Sequence, residues 1–404
     1  MKSNNAPVEN IGPTEKILTS VLVLGHAVKH LFVAGFFIIL TEIQIHFGLS
    51  HAGVGMISTI RNAGSGLGNL SAGYMADRFN NRWKEMLSVS IILVGIFHFF
   101  IGWGNSYTLL LINTTIAGIA ISFWHPPAIA ALAERFPQRR GFAISLHGTG
   151  GSIGEALGPF LVGTLLTVFL WRTVLQIGVI PAFMMGVITW ITLKNLQGNN
   201  QFDLSFMGYL RSLWQMLRIR GLITTLIVTA GFSSSQGIIM TFLPIYLKND
   251  LGFPILITAA FVSGSQVVGI GAQPFLGYLS DKYSRKSVLV PSLAILGLLT
   301  IAIPFAGSVP LLLIVTVLLM GSVSYSLMSI LLAAGIDQAQ SNMPATTISL
   351  VFSSGVIFSA VSPYLAGLLA DSTNLSYAFF LAGAIAIALS AFTSTLKWGK
   401  ISNK

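Results

Sequence analysis

The sequence has no cysteine among its 404 residues, and it has few charges. The absence of cysteine excludes a disulfide framework and any thiol chemistry. Charged residues make up 8% of the chain and hydrophobic residues 53%, whereas soluble proteins carry about 25% charged residues. A soluble protein of this length would need far more polar surface. The composition therefore predicts a polytopic membrane protein.

Signals for other protein classes are also missing. Residues 1–16 are polar, hold Pro7 and Pro13, and lack the compact apolar core and the cleavage site of a signal peptide. There is no nucleophile site in a soluble domain, no phosphate-cradling loop and no ATPase domain, so nothing predicts an enzyme, a cofactor or a bound metal. A membrane receptor would need a larger soluble region than residues 194–220 offer.

The chain repeats itself after 204 positions. A charged loop contains Gly73, Asp77, Arg78 and Arg82, and it returns as Gly277, Asp281, Lys282 and Arg285. Gly158-Pro159 matches Ser362-Pro363 at the same offset. Several separated segments repeat at the same offset, which predicts that the two halves are copies of one structural unit in the same orientation. Some transporters have such parallel repeats, related by an axis along the membrane normal.

Hydropathy predicts an all-α fold of twelve spans, each near the ~20 residues that cross ~30 Å of hydrocarbon. The spans cover residues 17–40, 52–75, 85–103, 108–131, 141–169, 173–193, 221–247, 256–279, 287–306, 309–334, 345–370 and 375–396. They form an N-terminal six-helix bundle (17–193) and a C-terminal one (221–396). Between them, a linker (194–220) carries apolar residues at helical spacing, which predicts an amphipathic helix on the membrane surface.

The positions of the cations predict the topology. The net charge of +10 could indicate a nucleic acid partner, but most lysines and arginines flank the spans on one side. The positive-inside rule then places the N-terminal segment (1–16), the linker and the tail (397–404) in the cytoplasm. We expect a monomer in the cell (inner) membrane, with the bilayer, a small molecule and protons as partners and no nucleic acid.

Twelve spans in two parallel halves, with a Gly-x-x-x-Asp-Arg/Lys loop after the second span of each, resemble the major facilitator superfamily. The resemblance covers nearly the whole chain and implies a secondary transporter that works by alternating access. It also implies a gate, in which Asp77 lies near a helix N-terminus or pairs with an arginine across the interface between the halves. The alternative is that these charges only anchor the topology.

The fifth span carries Gly150, Gly154 and Gly158 on one helix face, followed by Pro159. Small residues at this spacing let two helices pack closely, and the proline bends the span. The pattern resembles the glycine–proline motif of exporters in the superfamily. Together with Phe123-Trp124-His125-Pro126-Pro127 it resembles the fosmidomycin-resistance efflux family, which implies export by proton antiport. Close packing alone is the alternative.

Ionisable side chains within spans are costly, so each is a functional candidate. His26, Lys29 and His30 share one face of the first span, and such a cluster suits an anionic substrate or proton coupling. Arg61 and Glu155 lie in the middle of the second and fifth spans. Glu155 is the first candidate for a proton carrier, and the alternative is a buried ion pair with Arg61 or Lys29.

The spans of the second half offer neutral polar groups, among them Ser234, Gln236 and Tyr325. We expect coupling in one half and substrate orientation in the other. Of the remaining histidines, we expect His125 to order a turn and His147 to face the cavity or the gate. Two directions stay open: the glycine–proline motif favours export, whereas the cationic first span allows proton-coupled import of an organic anion or a metal chelate.

Overall fold

The computed structural model describes residues 12–136, 139–194, 196, 198, 205–339 and 344–398. Within these ranges the regular structure is helical throughout, without a β-strand. The N-terminal half consists of α1 (Pro13–Phe47), α2 (His51–Arg78), α3 (Trp83–Trp103), α4 (Tyr107–Ser122), α5 (His125–Arg135), α6 (Arg140–Leu166), α7 (Trp171–Ile177) and α8 (Val179–Thr192).

The second half repeats this order after a short connecting helix, α9 (Phe206–Met216). It consists of α10 (Arg220–Ile245), α11 (Ile255–Lys282), α12 (Arg285–Ala306), α13 (Pro310–Ala339), α14 (Pro344–Ser359), α15 (Ser362–Ser372) and α16 (Ser376–Thr395). The predicted all-α fold of two six-helix halves is confirmed. Residues 1–11, 199–204 and 399–404, which hold parts of the predicted N-terminal segment, linker and tail, lie outside the described residues.

Three of the predicted spans are each built from two helices. The fourth breaks between α4 and α5, where Pro126 and Pro127 open α5 without backbone donors. The sixth breaks at Gly178 between α7 and α8, and the eleventh breaks between α14 and α15, just before Pro363. The first of these breaks matters for the site, because it turns the chain so that His125 begins a new helix.

Two long helices are more polar than the rest. In the described part of the chain, ten segments are both long and apolar enough to cross a membrane, and α2 and α6 are not among them. They are nevertheless 28 and 27 residues long. Both lie at the centre of the molecule, where α2 packs against α14 and α15 and α6 packs against α11 of the other half. Several of their polar residues, such as Ser58, Arg61 and His147, are buried in protein.

The two halves are joined at the face where α1 ends and α2 begins, which we call the far face. Three polar pairs connect them there: Glu42 with Lys248 at 2.7 Å, Gln44 with Asn249 at 2.7 Å, and His51 with Asp371 at 3.0 Å. A glycine allows close contact below these pairs, because a Cβ on Gly55 would lie 2.3 Å from the Pro363 carbonyl oxygen. The far face is thus closed by both charge and packing.

The glycines of α6 pack against the backbone of α1. A Cβ on Gly150 would lie 2.3 Å from the Val23 carbonyl oxygen, and one on Gly154 would lie 2.1 Å from the Ala27 carbonyl oxygen. Gly158 meets the next turn of α1 in the same way. The two helices therefore approach as closely as backbones can, and they do so within one half.

We expect Gly154→Ala to lower the melting temperature by at least about 2 °C, because overpacking costs roughly 1–3 kcal/mol. Gly154→Leu and Gly158→Leu should be more severe and should also abolish transport. Gly148→Ala is the matched control, since nothing lies within 4 Å of a Cβ at that position of the same helix. Thermal unfolding of the purified variants measures the difference, and equal melting temperatures for Gly154→Ala and Gly148→Ala would contradict tight packing of α6 on α1.

Candidate functional site

Four histidines from three helices meet in the middle of the N-terminal half. His26 and His30 come from α1, His125 from the first turn of α5 and His147 from α6. The His26 ring stacks on His147 with 4.0 Å between centroids, and it lies 4.6 Å from His30 and 4.8 Å from His125. We call these four residues the histidine cluster.

Glycines make room for this cluster. A Cβ on Gly151 would lie 2.5 Å from the His26 ring, so only glycine allows that ring to lie against α6. A Cβ on Gly25 would lie 2.1 Å from the Trp124 ring, which is fully buried against α1. Trp124 directly precedes His125, so its burial fixes the start of α5 and with it the position of His125.

Hydrogen bonds fix one tautomer in the cluster. His26 Nδ1 lies 2.7 Å from the backbone carbonyl oxygen of His147 and donates to it, because a carbonyl can only accept. His26 Nε2 is therefore the basic nitrogen of that ring. Within the described part of the chain, His26 Nε2 is buried and lacks a hydrogen-bond partner. Buried polar atoms of this kind call for an explanation, and proton exchange is one.

Glu155 pairs with His30 and not with a lysine or an arginine. Glu155 Oε1 lies 2.8 Å from His30 Nδ1, at ion-pair distance. The alternative of an ion pair between Glu155 and Arg61 or Lys29 is wrong for this structure, because those two cations bind other groups. Helix packing brings His30 closer than either of them.

Lys29 is buried with an imidazole as its partner. Its side chain is 1% exposed, and Nζ lies 2.5 Å from His125 Nε2. An ammonium group only donates, so His125 Nε2 accepts, and the expectation that His125 merely orders a turn is incomplete. Among the residues that the structure describes, no carboxylate lies within 4 Å of Lys29 Nζ. A buried cation without a carboxylate is open to an anionic ligand.

Arg61 is satisfied by backbone and aromatic groups. It donates to the Val33 carbonyl oxygen at 3.1 Å and lies 4.7 Å from the centre of the Phe36 ring. His98 lies nearby and donates to the Val94 carbonyl oxygen at 2.7 Å. Arg61 does not border the cavity that Lys29 borders.

A cavity of about 310 Å³ lies between the halves, next to Lys29, His30 and His125. It extends from these residues to Asp77 and Tyr209, at the face opposite the far face. Its remaining lining is Val33, Asn62, Ser65, Asn69, Gly73, Ala76, Ile121, Ser122, Pro126, Ile129, Ala130, Ala133, Phe352 and Val356. Phe352 and Val356 belong to α14, so the C-terminal half supplies an apolar wall.

The neutral polar residues expected to orient a substrate lie elsewhere. Ser234 donates to Ala230 within its own helix at 2.9 Å, and the Tyr325 hydroxyl donates to Met240 Sδ at 3.2 Å. Gln236 is half-buried. None of the three borders the described cavity, because α14 rather than α10 or α13 closes it on that side. Their expected role in orienting a substrate stays a prediction.

Three of the histidines could in principle hold a metal ion. One ring nitrogen from each of His26, His125 and His147 lies within 4.8 Å of the others. Imidazole nitrogens suit zinc and other borderline metals. The Lys29 ammonium lies against one of these nitrogens, however, and its charge repels a dication. The donor set therefore fits an anion better than a metal cation.

The two gating loops differ in their contacts. In the C-terminal half, Arg285 binds both Asp281 and Asp337, the latter at 2.9 Å, and all three belong to that half. Asp77 borders the cavity beside Tyr209. Burial, and then the Asp77 carboxylate, raise the pKa of Tyr209, so its hydroxyl remains a donor. The gating role of Asp77 stays a prediction.

The other loop residues make local contacts. Arg82 Nη1 lies 3.7 Å from Glu85 Oε1, and Lys282 lies near the rings of Tyr278 and Tyr283. Gly277 has open space around it. Arg78 ends α2.

Comparison with known proteins identifies the family. The sequence profile of the Major Facilitator Superfamily matches residues 22–343 and 236–402, so the chain belongs to this superfamily, a class of membrane transporters rather than enzymes. A probable 4-methylmuconolactone transporter of Cupriavidus pinatubonensis is 25% identical over 66% of this chain and 63% of that protein. The cis,cis-muconate transport protein of Acinetobacter baylyi is 22% identical over 61% of this chain and 62% of that protein. The matched regions span slightly less than two thirds of these relatives.

The fold is shared with solved transporters. A bacterial homologue of the human lysosomal transporter Spinster, described as inward-facing and occupied, superposes with a TM-score of 0.80 at 16% identity, over 95% of this chain and 97% of that one. The predicted superfamily is confirmed. The finer placement near the fosmidomycin-resistance family is not, because the Escherichia coli fosmidomycin resistance protein matches over 38% of this chain at 25% identity, alongside transporters with other names.

We expect Asp77→Asn to reduce transport while the protein remains folded and inserted, because the carboxylate at the cavity mouth would change partners as the halves move. Transport in proteoliposomes and the melting temperature are measured together. Asp281→Asn, at the matched position of the other half, is the control for a purely local role. A wild-type transport rate in Asp77→Asn would exclude the gate.

Proposed function

We propose that this protein is a secondary transporter that takes up a small organic anion together with protons, by alternating access. The observation that carries the proposal is Lys29: it is buried in mid-span, it borders the cavity, and its partner is an imidazole. A charge in that position is costly unless an opposite charge lies beside it. A bound anion would supply that charge.

Protons enter the proposal through the histidine cluster and Glu155. The Glu155–His30 pair lies one ring contact from His26 and within electrostatic range of Lys29. A proton gained in this region adds positive charge close to the anion site. Anion and proton therefore strengthen each other's binding, and this coupling is reciprocal. Ligands that bind together travel together, which favours symport over exchange.

The contacts between the halves support one of the two states of such a cycle. Polar pairs close the far face, whereas the cavity extends toward the opposite face, where α1 begins and α2 ends. The excess of lysine and arginine on the latter face favours a cytoplasmic location for both termini, in the cell (inner) membrane. This orientation supports an inward-facing state, and we propose that the protein works as a monomer. The outward-facing state requires the far-face pairs to separate.

The names of the relatives agree with an anionic substrate. One is named for the transport of cis,cis-muconate, which is a carboxylate, and another for 4-methylmuconolactone. They suggest small organic acids as the first compounds to test here.

Export by proton antiport is the second candidate, and one observation favours it. The glycine face of α6 packs directly on α1, in a motif that resembles those of exporters, and one relative is named for fosmidomycin resistance. An antiporter would bind proton and substrate in competition, so the two mechanisms predict opposite effects of pH on substrate binding.

Vesicles of defined polarity test the proposal. The purified protein is reconstituted with one inward-directed proton gradient, and the accumulation of a panel of organic acids is measured with and without a protonophore. Uptake that needs the gradient supports symport. Gradient-driven expulsion from preloaded vesicles would instead support antiport, and transport of neutral analogues at the same rate as acids would overturn the anion assignment.

We expect Glu155→Gln to abolish proton-driven accumulation but to spare substrate binding and substrate exchange, because the carboxylate can no longer gain and lose a proton. Glu155→Asp, which keeps the carboxylate, is the control. A purely structural ion pair would instead lower the melting temperature, and neutralising His30 as well would restore it. Full proton-driven transport in Glu155→Gln would move the carrier role to His26 and His30.

A further inference from the structure

The connecting helix α9 has one surface that faces the protein and one that faces outward. Tyr209 and Met216 lie on the first surface and are buried. The second surface is apolar and exposed, and positions three and four apart bring its residues together on the helix. They are Phe206, Met207, Leu210 and Trp214, with exposed fractions of 55%, 68%, 40% and 60%. We call these four residues the outer surface of α9. An exposed apolar surface of this kind marks a site of interaction.

Arginines border the outer surface of α9. Arg211 lies within the helix and Arg218 lies just beyond its end, and both residues are exposed. The Arg218 guanidinium lies 5.7 Å from the centre of the Trp214 ring, so its charge lies beside the apolar residues. Residues 205–220 contain three arginines and no acidic residue. An apolar helix face with a cationic border is typical of helices that lie among the headgroups of anionic membranes.

The position of α9 favours a lipid as the partner of this surface. Before α9, the helices α7 and α8 form a candidate membrane span that ends at Thr192, and after it α10 begins another span at Arg220. Both ends lie at the face opposite the far face. The helix between them is therefore level with the headgroup layer of that face, where the phosphate groups of phospholipids are the nearest anions.

The buried surface of α9 contacts both halves of the protein. Met216 packs in a buried apolar cluster with residues of α10 and α14, among them Val351. Near the start of α9, the ring of Tyr74 in α2 lies 5.3 Å from the Phe206 ring and 5.8 Å from the Tyr209 ring. Tyr209 also borders the cavity. α9 thus connects the two halves at the mouth of the cavity.

We propose that anionic phospholipids bind the outer surface of α9 and thereby hold this helix against both halves at the cavity mouth. Lipid phosphate groups pair with Arg211 and Arg218, while the apolar residues enter the boundary of the acyl chains. An arginine near an anionic membrane surface strengthens binding by about fivefold, and the attraction decays within about 10 Å at roughly 0.1 M salt. The proposal does not depend on which compound the protein transports.

Spin labels test the proposal, and the absence of cysteine lets them be placed without background. A label at Met207→Cys reports whether the outer surface faces lipid or water, by its accessibility to oxygen and to a water-soluble nickel complex. A second label at Asn81→Cys, in the exposed turn after α2, gives the distance from that turn to α9. The full-length protein is compared in nanodiscs of phosphatidylcholine and of phosphatidylcholine with phosphatidylglycerol at about 7:3, which carry an anionic surface.

We expect phosphatidylglycerol to move the label at Met207→Cys from water into lipid. The ratio of docked to displaced α9, read from the distances, should rise by at least about fivefold. Salt at about 1 M should reverse both effects, because it shortens the range of the attraction to about 3 Å.

Variants locate the effect at the two arginines. The double variant Arg211→Gln/Arg218→Gln should lose the response to phosphatidylglycerol. Arg135→Gln is the matched control, since it removes an exposed arginine at the end of α5, on the same face of the protein, and it should keep the response. Melting temperatures equal to that of the parent protein show that the variants are folded.

Three results would overturn the proposal. The first is the same label environment and the same distances in both kinds of nanodisc. The second is a label that moves into lipid without any change in distance, which would exclude a role of the lipid in holding α9. The third is a label at Met207→Cys that is protected from both reagents and lies close to the same label on another molecule, which would indicate a second copy of the chain at this surface.

Discussion

The buried ammonium of Lys29 is the constraint on which the rest of the site depends. A charge in the middle of a span is costly unless a polar or oppositely charged group stabilises it. Among the described residues, the partner of Lys29 is the His125 imidazole beside a cavity, and not a carboxylate. The break between α4 and α5 serves this arrangement, because it starts a new helix at His125. Trp124 anchors that start in the core. The site therefore exists because the fourth span is interrupted.

Glycine packing keeps these polar groups away from lipid. α6 lies against the backbone of α1 through Gly150, Gly154 and Gly158, and α2 meets α4 through Gly118, whose Cβ would lie 2.3 Å from the Arg61 carbonyl oxygen. Such close contacts exclude lipid from the centre of the bundle. They also leave space for the His26 ring beside Gly151. Packing and chemistry thus depend on the same small residues.

The two halves share a fold, but they contribute different side chains to the cavity. The N-terminal half supplies the ionisable groups that border the cavity, and the C-terminal half supplies Phe352 and Val356. At the far face the halves are held by polar pairs and by a buried apolar cluster to which both halves contribute. A rocking movement of the halves would therefore have to break apolar packing as well as polar pairs at this face.

The sequence by itself determined the fold, since the thickness of a bilayer sets the length of each apolar span. The 204-residue offset between similar segments then shows that the two halves repeat one unit. It also placed His26, Lys29 and His30 together, because residues three and four apart share a helix face whatever the helix packs against. Only the tertiary structure decided that Glu155 pairs with His30, that His125 and His147 complete the cluster, and that Phe352 rather than Tyr325 borders the cavity. These residues lie on different helices, so the distances between them depend on how each helix is rotated and spaced. Close packing at the glycines sets that rotation and spacing. The periodicity of the sequence does not contain this information.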